Sequence, residues 1–108
     1  MQAVSSNNSL IIFLSEQNKL SVFSIETKTT TVVNHEVKFD KIFSTTEDLL
    51  LARPENSLSL MAFPLRDFKS FKSYQHTKKI FSATNNQGTL IIGDEFGSIF
   101  MLHNFFSD

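Results

Sequence analysis

The chain is 108 residues long, 41% hydrophobic and 19% charged, with ten basic and eleven acidic side chains and a net charge of -1. These are the size and composition of one folded domain, and they exclude a disordered chain, which would hold fewer large apolar residues. The near-zero charge removes whole-molecule steering onto nucleic acid or an anionic membrane, and the absence of cysteine removes disulfides, thiolate zinc sites and cysteine nucleophiles.

The amino terminus has neither a basic region nor a hydrophobic stretch, so no signal peptide is expected. The longest apolar run, Leu10 to Leu14, is far too short to span a membrane as a helix. The expected location is nuclear or cytoplasmic, without a membrane partner. Strands are expected near 2–5, 9–14, 19–25 and 28–34, then near 40–45, 48–52, 57–63 and 68–74. A third set is expected near 78–84, 89–93 and 97–102, with His103 to Phe106 starting a fourth strand. Leu20, Val22 and Ser24 alternate against Ser21 and Phe23, and Leu58, Leu60 and Ala62 alternate against Ser59, Met61 and Phe63. That is the two-residue period of a strand. Leu10 to Leu14, Leu49 to Ala52 and Leu90 to Ile92 are short continuous apolar runs, as in strands covered on both faces. Polar breaks at Ser15 to Asn18, Arg53 to Asn56 and Gly93 to Gly97 have the length and chemistry of hairpin turns. Pro54 fits such a turn and Pro64 closes the strand before it. No segment carries a capped helical period, so helix content should be near nil.

The chain repeats itself. Lys41-Ile42-Phe43-Ser44 returns as Lys79-Ile80-Phe81-Ser82, 38 positions on, and Gln2-Ala3-Val4-Ser5 lies in the same place of the first copy. Leu10-Ile11-Ile12, Leu49-Leu50-Leu51 and Leu90-Ile91-Ile92 then correspond, as do Asn18 to Val22, Asn56 to Leu60 and Gly97 to Met101. The copies cover about 1–39, 40–77 and 78–108. A unit of about forty residues with four antiparallel strands is a β-propeller blade. The expected fold is therefore all-β, with about three blades in this chain. Rings of this kind need roughly four to eight blades. Either the chain is part of a longer protein, the favoured reading, or copies assemble into a homo-oligomer.

The polar residues offer no catalytic pattern. No glycine-rich phosphate loop or nucleophile elbow is present. His35, His76 and His103 have no carboxylate or second histidine at helical spacing, and each reads as a solvated loop residue. Asp94 and Glu95 sit in a turn, where Asp94 should bond its own backbone and Gly97 should take positive φ; both are assigned as structural turn residues. The chain is expected not to be an enzyme and to hold no cofactor, metal or catalytic residue. One basic stretch, Arg66, Lys69, Lys72, Lys78 and Lys79 with His76, is a candidate contact for RNA or a partner, with Tyr74 available for stacking. Against this stands a plainer reading, an outer strand that turns Phe68 and Phe71 inward and its bases to water. Phe13, Phe23, Phe43, Phe63, Phe81 and Phe100 are expected to pack blade against blade, and Phe105 and Phe106 to dock on the next element or a partner.

The period and strand pattern resemble the WD-repeat β-propellers, although the Gly-His and Trp-Asp dipeptides of a regular repeat are absent. Thr89 to Phe100 resembles a segment of the non-catalytic WD-repeat subunit of eukaryotic tRNA guanine-N7 methyltransferase. Asp94, Phe96 and Gly97 match its pattern, while Glu95 replaces a lysine and Ser98 an aspartate. Lys78 to Ser82 takes the place of that family's basic start to the blade, and Asn18 to Phe23 looks like another of its strands, one blade early. The resemblance implies a scaffold that binds and stabilises a separate methyltransferase subunit using S-adenosylmethionine; a weak tRNA contact is an expectation of the basic stretch at 66–79 alone. The alternative is a generic propeller interaction module in trafficking, ubiquitin or chromatin complexes.

Overall fold

The structure, a computed structural model, describes residues 3–5, 9–45 and 49–105. The described residues form three antiparallel sheets, each a meander in which every strand pairs with the one before it. The first sheet holds β1 (Ala3–Ser5), β2 (Leu10–Leu14), β3 (Leu20–Ser24) and β4 (Thr29–Val32). The second holds β5 (Phe39–Thr45), β6 (Leu49–Pro54), β7 (Ser59–Pro64) and β8 (Lys72–Gln75). The third holds β9 (Ile80–Asn86), β10 (Thr89–Asp94) and β11 (Ile99–Leu102). The fold is all-β, a row of propeller-type blades in which no sheet closes into a barrel.

Two seams hold the row together. Ile12, Leu14, Leu20 and Val22 of the first sheet bury against Phe39, Ile42, Leu50, Ala52, Met61 and Phe63 of the second. Leu51, Leu60 and Ala62 of the second sheet bury against Ile80, Ala83, Leu90 and Ile92 of the third. The middle sheet is thus covered on both faces, so Leu60, Met61, Ala62 and Phe63 are all buried despite pointing to alternate sides. The second seam also carries a polar staple. Arg53 is buried, its Nε donates to Asp40 Oδ1 at 2.8 Å, and its guanidinium reaches the Ile80 carbonyl of the next sheet.

Three expectations are corrected. Residues 68–74 do not form one strand: Phe68–Ser70 is a 3-10 turn, and β8 starts only at Lys72. Asp67 imposes the turn by accepting the Lys69 N–H at 3.2 Å and the Ser70 hydroxyl at 2.7 Å. The Ser70 bond, then the Lys69 N–H, holds the Asp67 carboxyl below its usual range. His103 to Phe105 is a turn rather than the start of a strand, and Phe106 lies outside the described residues. Of the six strand phenylalanines, Phe63 is fully buried in a seam, whereas Phe81 and Phe100 are 51% and 41% exposed.

Gly97 has φ +80°, in the left-handed region, and a Cβ placed there would meet no atom within 4 Å. The cost of a side chain is therefore conformational alone. Gly97→Ala is expected to lower stability by about 1 kcal/mol, measured by urea unfolding; no change would mean the turn relaxes freely.

Candidate functional site

The antiparallel meander brings the β8–β9 connection and the β10–β11 turn to one end of the third sheet, where Asp94 pairs with Ile80. The turn is built by Asp94. Its Oδ1 accepts the N–H groups of Phe96 at 3.0 Å and Ser98 at 3.2 Å, and its carbonyl accepts the N–H of Gly97 at 3.0 Å. Its Oδ2 lies 3.0 Å from His76 Nε2, and His76 Nδ1 lies 3.0 Å from the Tyr74 hydroxyl. An Nε2–H imidazole completes this set: it donates to Asp94 and accepts from Tyr74. The Phe100 ring stands edge-on to the imidazole at 4.7 Å.

His76 is 5% exposed, not the solvated loop residue expected from sequence, and Asp94 is 6% exposed. The hydrogen bond from His76, and after it the N–H groups of Phe96 and Ser98, hold the Asp94 carboxyl below its usual range against the opposing effect of burial. Each heteroatom of the pair already has a protein partner, so the arrangement fixes a loop.

What the network holds up is Phe96. Its ring is 69% exposed at the tip of the turn, and Lys78 Nζ stands 4.8 Å from the ring centroid. Beside it Glu95 and Lys79 clasp each other, the Glu95 N–H donating to the Lys79 carbonyl at 2.9 Å and the Lys79 N–H to Glu95 Oε2 at 2.6 Å. An exposed aromatic on a rigidly tied turn is the form of an interface anchor, because little side-chain or loop entropy remains to be lost on binding.

The basic stretch is not one patch. Gln75 pairs with Ser59 and Lys72 with Ala62, so Arg66 and Lys69 lie beyond one end of the β7–β8 ladder and Lys78 and Lys79 beyond the other. Lys72 donates to the Phe105 carbonyl at 3.1 Å. Tyr74 is not available for stacking: its hydroxyl is on His76 and its ring meets Phe105 edge-on at 6.2 Å. Phe105 thus docks on the second blade of its own chain. Phe68 packs against the first seam as expected, while Phe71 is 41% exposed with its ring 5.5 Å from that of Phe63. His35 and His103 are exposed. Among the described residues no group of three or more His, Asp or Glu side chains could hold a metal ion.

The His76–Asp94 pair leaves no mark at helical spacing because His76 follows β8 and Asp94 ends β10, 18 residues apart and in different blades. In an all-β chain the informative spacing is the one that links loops at the same end of a sheet.

No protein-family model matches this chain. No curated protein matches it either. Among solved structures, it is similar to a chain of an S. cerevisiae assembly of variant Dbp5 bound to Nup159, variant Gle1, IP6 and ADP. The TM-score is 0.60 at 17% identity, over 97% of this chain and 30% of the other. The present chain therefore spans less than a third of the length of the protein it matches, and what the two share is fold.

Proposed function

We propose that this chain is part of a non-catalytic, WD-repeat-like scaffold that binds and stabilises a partner protein, and that the partner is the catalytic subunit of a tRNA guanine-N7 methyltransferase. The observation that carries the scaffold reading is the exposed Phe96, set on a turn tied down by Asp94 and His76. The choice of partner rests on the resemblance of Thr89 to Phe100, the segment that contains this turn. The split of the basic residues between two ends of a blade favours a protein surface over an RNA track, which would need a continuous line of positive charge.

The test is capture of the native protein from its source with Phe96 intact and with Phe96→Ala. Stability should change by less than about 0.5 kcal/mol, because the ring is on the surface. The expected result is stoichiometric recovery of an S-adenosylmethionine-dependent methyltransferase that is lost with the variant. A different partner set, equally lost, would retire the methyltransferase and leave a generic interaction module. Unchanged recovery in the variant would remove Phe96 as the anchor.

A further inference from the structure

A cleft of about 180 Å³ opens between the second and third sheets, at the end of the row that carries Phe96. Asp40 of β5 and Asn56, Ser57 and Leu58 of the β6–β7 turn form one side of it, and Lys79, just before β9, forms the other. Two neighbouring sheets of this chain complete it, whatever blades precede or follow them. Leu58 is 41% exposed, and its carbonyl accepts the His76 N–H at 3.1 Å, which holds it beside the β8–β9 connection. From the cleft the surface continues over Lys79 and Glu95, which clasp each other, to Phe96 and the Lys78 ammonium beside its ring.

The carboxylates of this surface are engaged and its ammonium groups are not. Asp40 Oδ1 accepts the Arg53 Nε–H, and Glu95 Oε2 accepts the Lys79 N–H. Glu55 of the β6–β7 turn is directed to the first blade, where its Oε2 accepts from Asn18 Nδ2 at 2.9 Å. Lys78 and Lys79 are exposed, and among the described residues their Nζ atoms make no hydrogen bond or ion pair. The contact of Lys78 with the Phe96 ring leaves its N–H donors open to an anion. Apolar and cationic positions thus follow one another across the surface: Leu58, Lys79, Phe96, Lys78.

We infer that this surface takes an acidic segment of the partner protein that carries two apolar side chains. One enters the cleft against Leu58, the second lies on Phe96, and carboxylates beside them pair with Lys79 and Lys78. The apolar contacts supply most of the affinity, while the two ammonium groups set the register and reject basic segments. The inference rests on the reading of Phe96 as an interface anchor and adds the chemistry of what that anchor grips.

The test is binding of the purified chain to short labelled probes: a peptide of glutamate and leucine, its counterpart with lysine for glutamate, an all-glutamate peptide, and oligouridylate. The glutamate–leucine peptide should bind about tenfold more tightly than the other probes, and less tightly as salt rises. Phe96→Ala and Leu58→Ser should each weaken it about fivefold. Lys78→Glu combined with Lys79→Glu should reverse the choice, so that the lysine–leucine peptide binds better, an outcome that misfolding cannot produce. Equal binding of the two leucine peptides, or no reversal in the double variant, would overturn the inference. A preference for oligouridylate would overturn it too and make the surface a nucleic-acid contact. The scaffold reading fails separately. Native capture that is lost with Phe96→Ala while the acidic peptide does not bind leaves the scaffold and removes this chemistry. Peptide binding that needs Phe96 while native capture does not leaves this surface and removes the scaffold reading.

Discussion

Replacing His76 with alanine is expected to lower the unfolding free energy by about 2–4 kcal/mol, more than most single polar substitutions, because it strands buried polar groups. Among the described residues the imidazole is the side chain bonded to Asp94 Oδ2, and it is also the partner of the Tyr74 hydroxyl. Alanine leaves an enclosed carboxylate without its charge-assisted hydrogen bond and opens a hole beside Phe100. The first blade offers a control, since it ties the same turn differently. There Ser15 Oγ accepts the N–H groups of Gln17 and Lys19; separately, in the seam with the second blade, Val33 donates its N–H to the Leu20 carbonyl as His76 donates to that of Leu58. Val33 is buried, and no carboxylate needs a partner. His76→Val combined with Asp94→Ser should therefore recover much of the stability that His76→Ala loses. Urea unfolding of the single and double variants measures this as a coupling energy. If the double variant is as unstable as the sum of its parts, the pair is not one unit.

The same pair has a pH signature. The folded-state pKa of Asp94 lies below its unfolded value, so its contribution is present above the unfolded pKa and is lost as pH falls through the folded one. His76 supplies the largest of the causes that lower it. Without the imidazole the folded pKa moves back toward the unfolded value, and acid sensitivity from this group shrinks. The stability gap between wild type and His76→Ala should thus narrow as pH falls through the folded pKa of Asp94. A gap that stays constant down to acid unfolding would show that the loss comes from packing alone.

Much of the architecture could be read before any coordinates, because strands and tight turns leave local marks. Leu20, Val22 and Ser24 alternate, and the apolar runs at Leu10, Leu49 and Leu90 lie in β2, β6 and β10. Asp94 and Gly97 form the turn that their chemistry suggests, with the side chain of Asp94 on its own backbone. What escaped was long-range in sequence. Arg53 reads as a polar turn residue, yet it is buried at the seam because Asp40 and the Ile80 carbonyl satisfy its guanidinium. Tyr74 reads as available for stacking and His76 as a solvated loop residue, yet both are drawn inward by Asp94 from the next blade. The basic cluster was a proximity along the chain that β8 undoes by carrying its two halves to opposite ends of the sheet.

Phe63→Ala is expected to cost about 3–5 kcal/mol, a large part of the stability of a domain this size. Phe63 is fully buried in the first seam, with its ring edge-on to Phe39 at 5.8 Å and tilted against Phe71 at 5.5 Å. Truncation removes the transfer energy of a whole ring and leaves a cavity between two sheets that each depend on the seam for cover. Because the sheets stack in a row, the damage should be local: the first seam weakens while the second keeps Leu51, Leu60, Ala62, Ile80, Ala83, Leu90 and Ile92. Hydrogen exchange is the measurement that separates this from general destabilisation. In Phe63→Ala the amides of β2 and β3 should lose protection before those of β9 and β10, whereas in the wild type the two sets should open together. The exposed Phe96 serves as the reference, since its truncation should move neither set. Equal loss of protection in all three sheets would mean that the blades unfold as one cooperative block, and that the row of semi-independent seams is the wrong description of how this chain holds together.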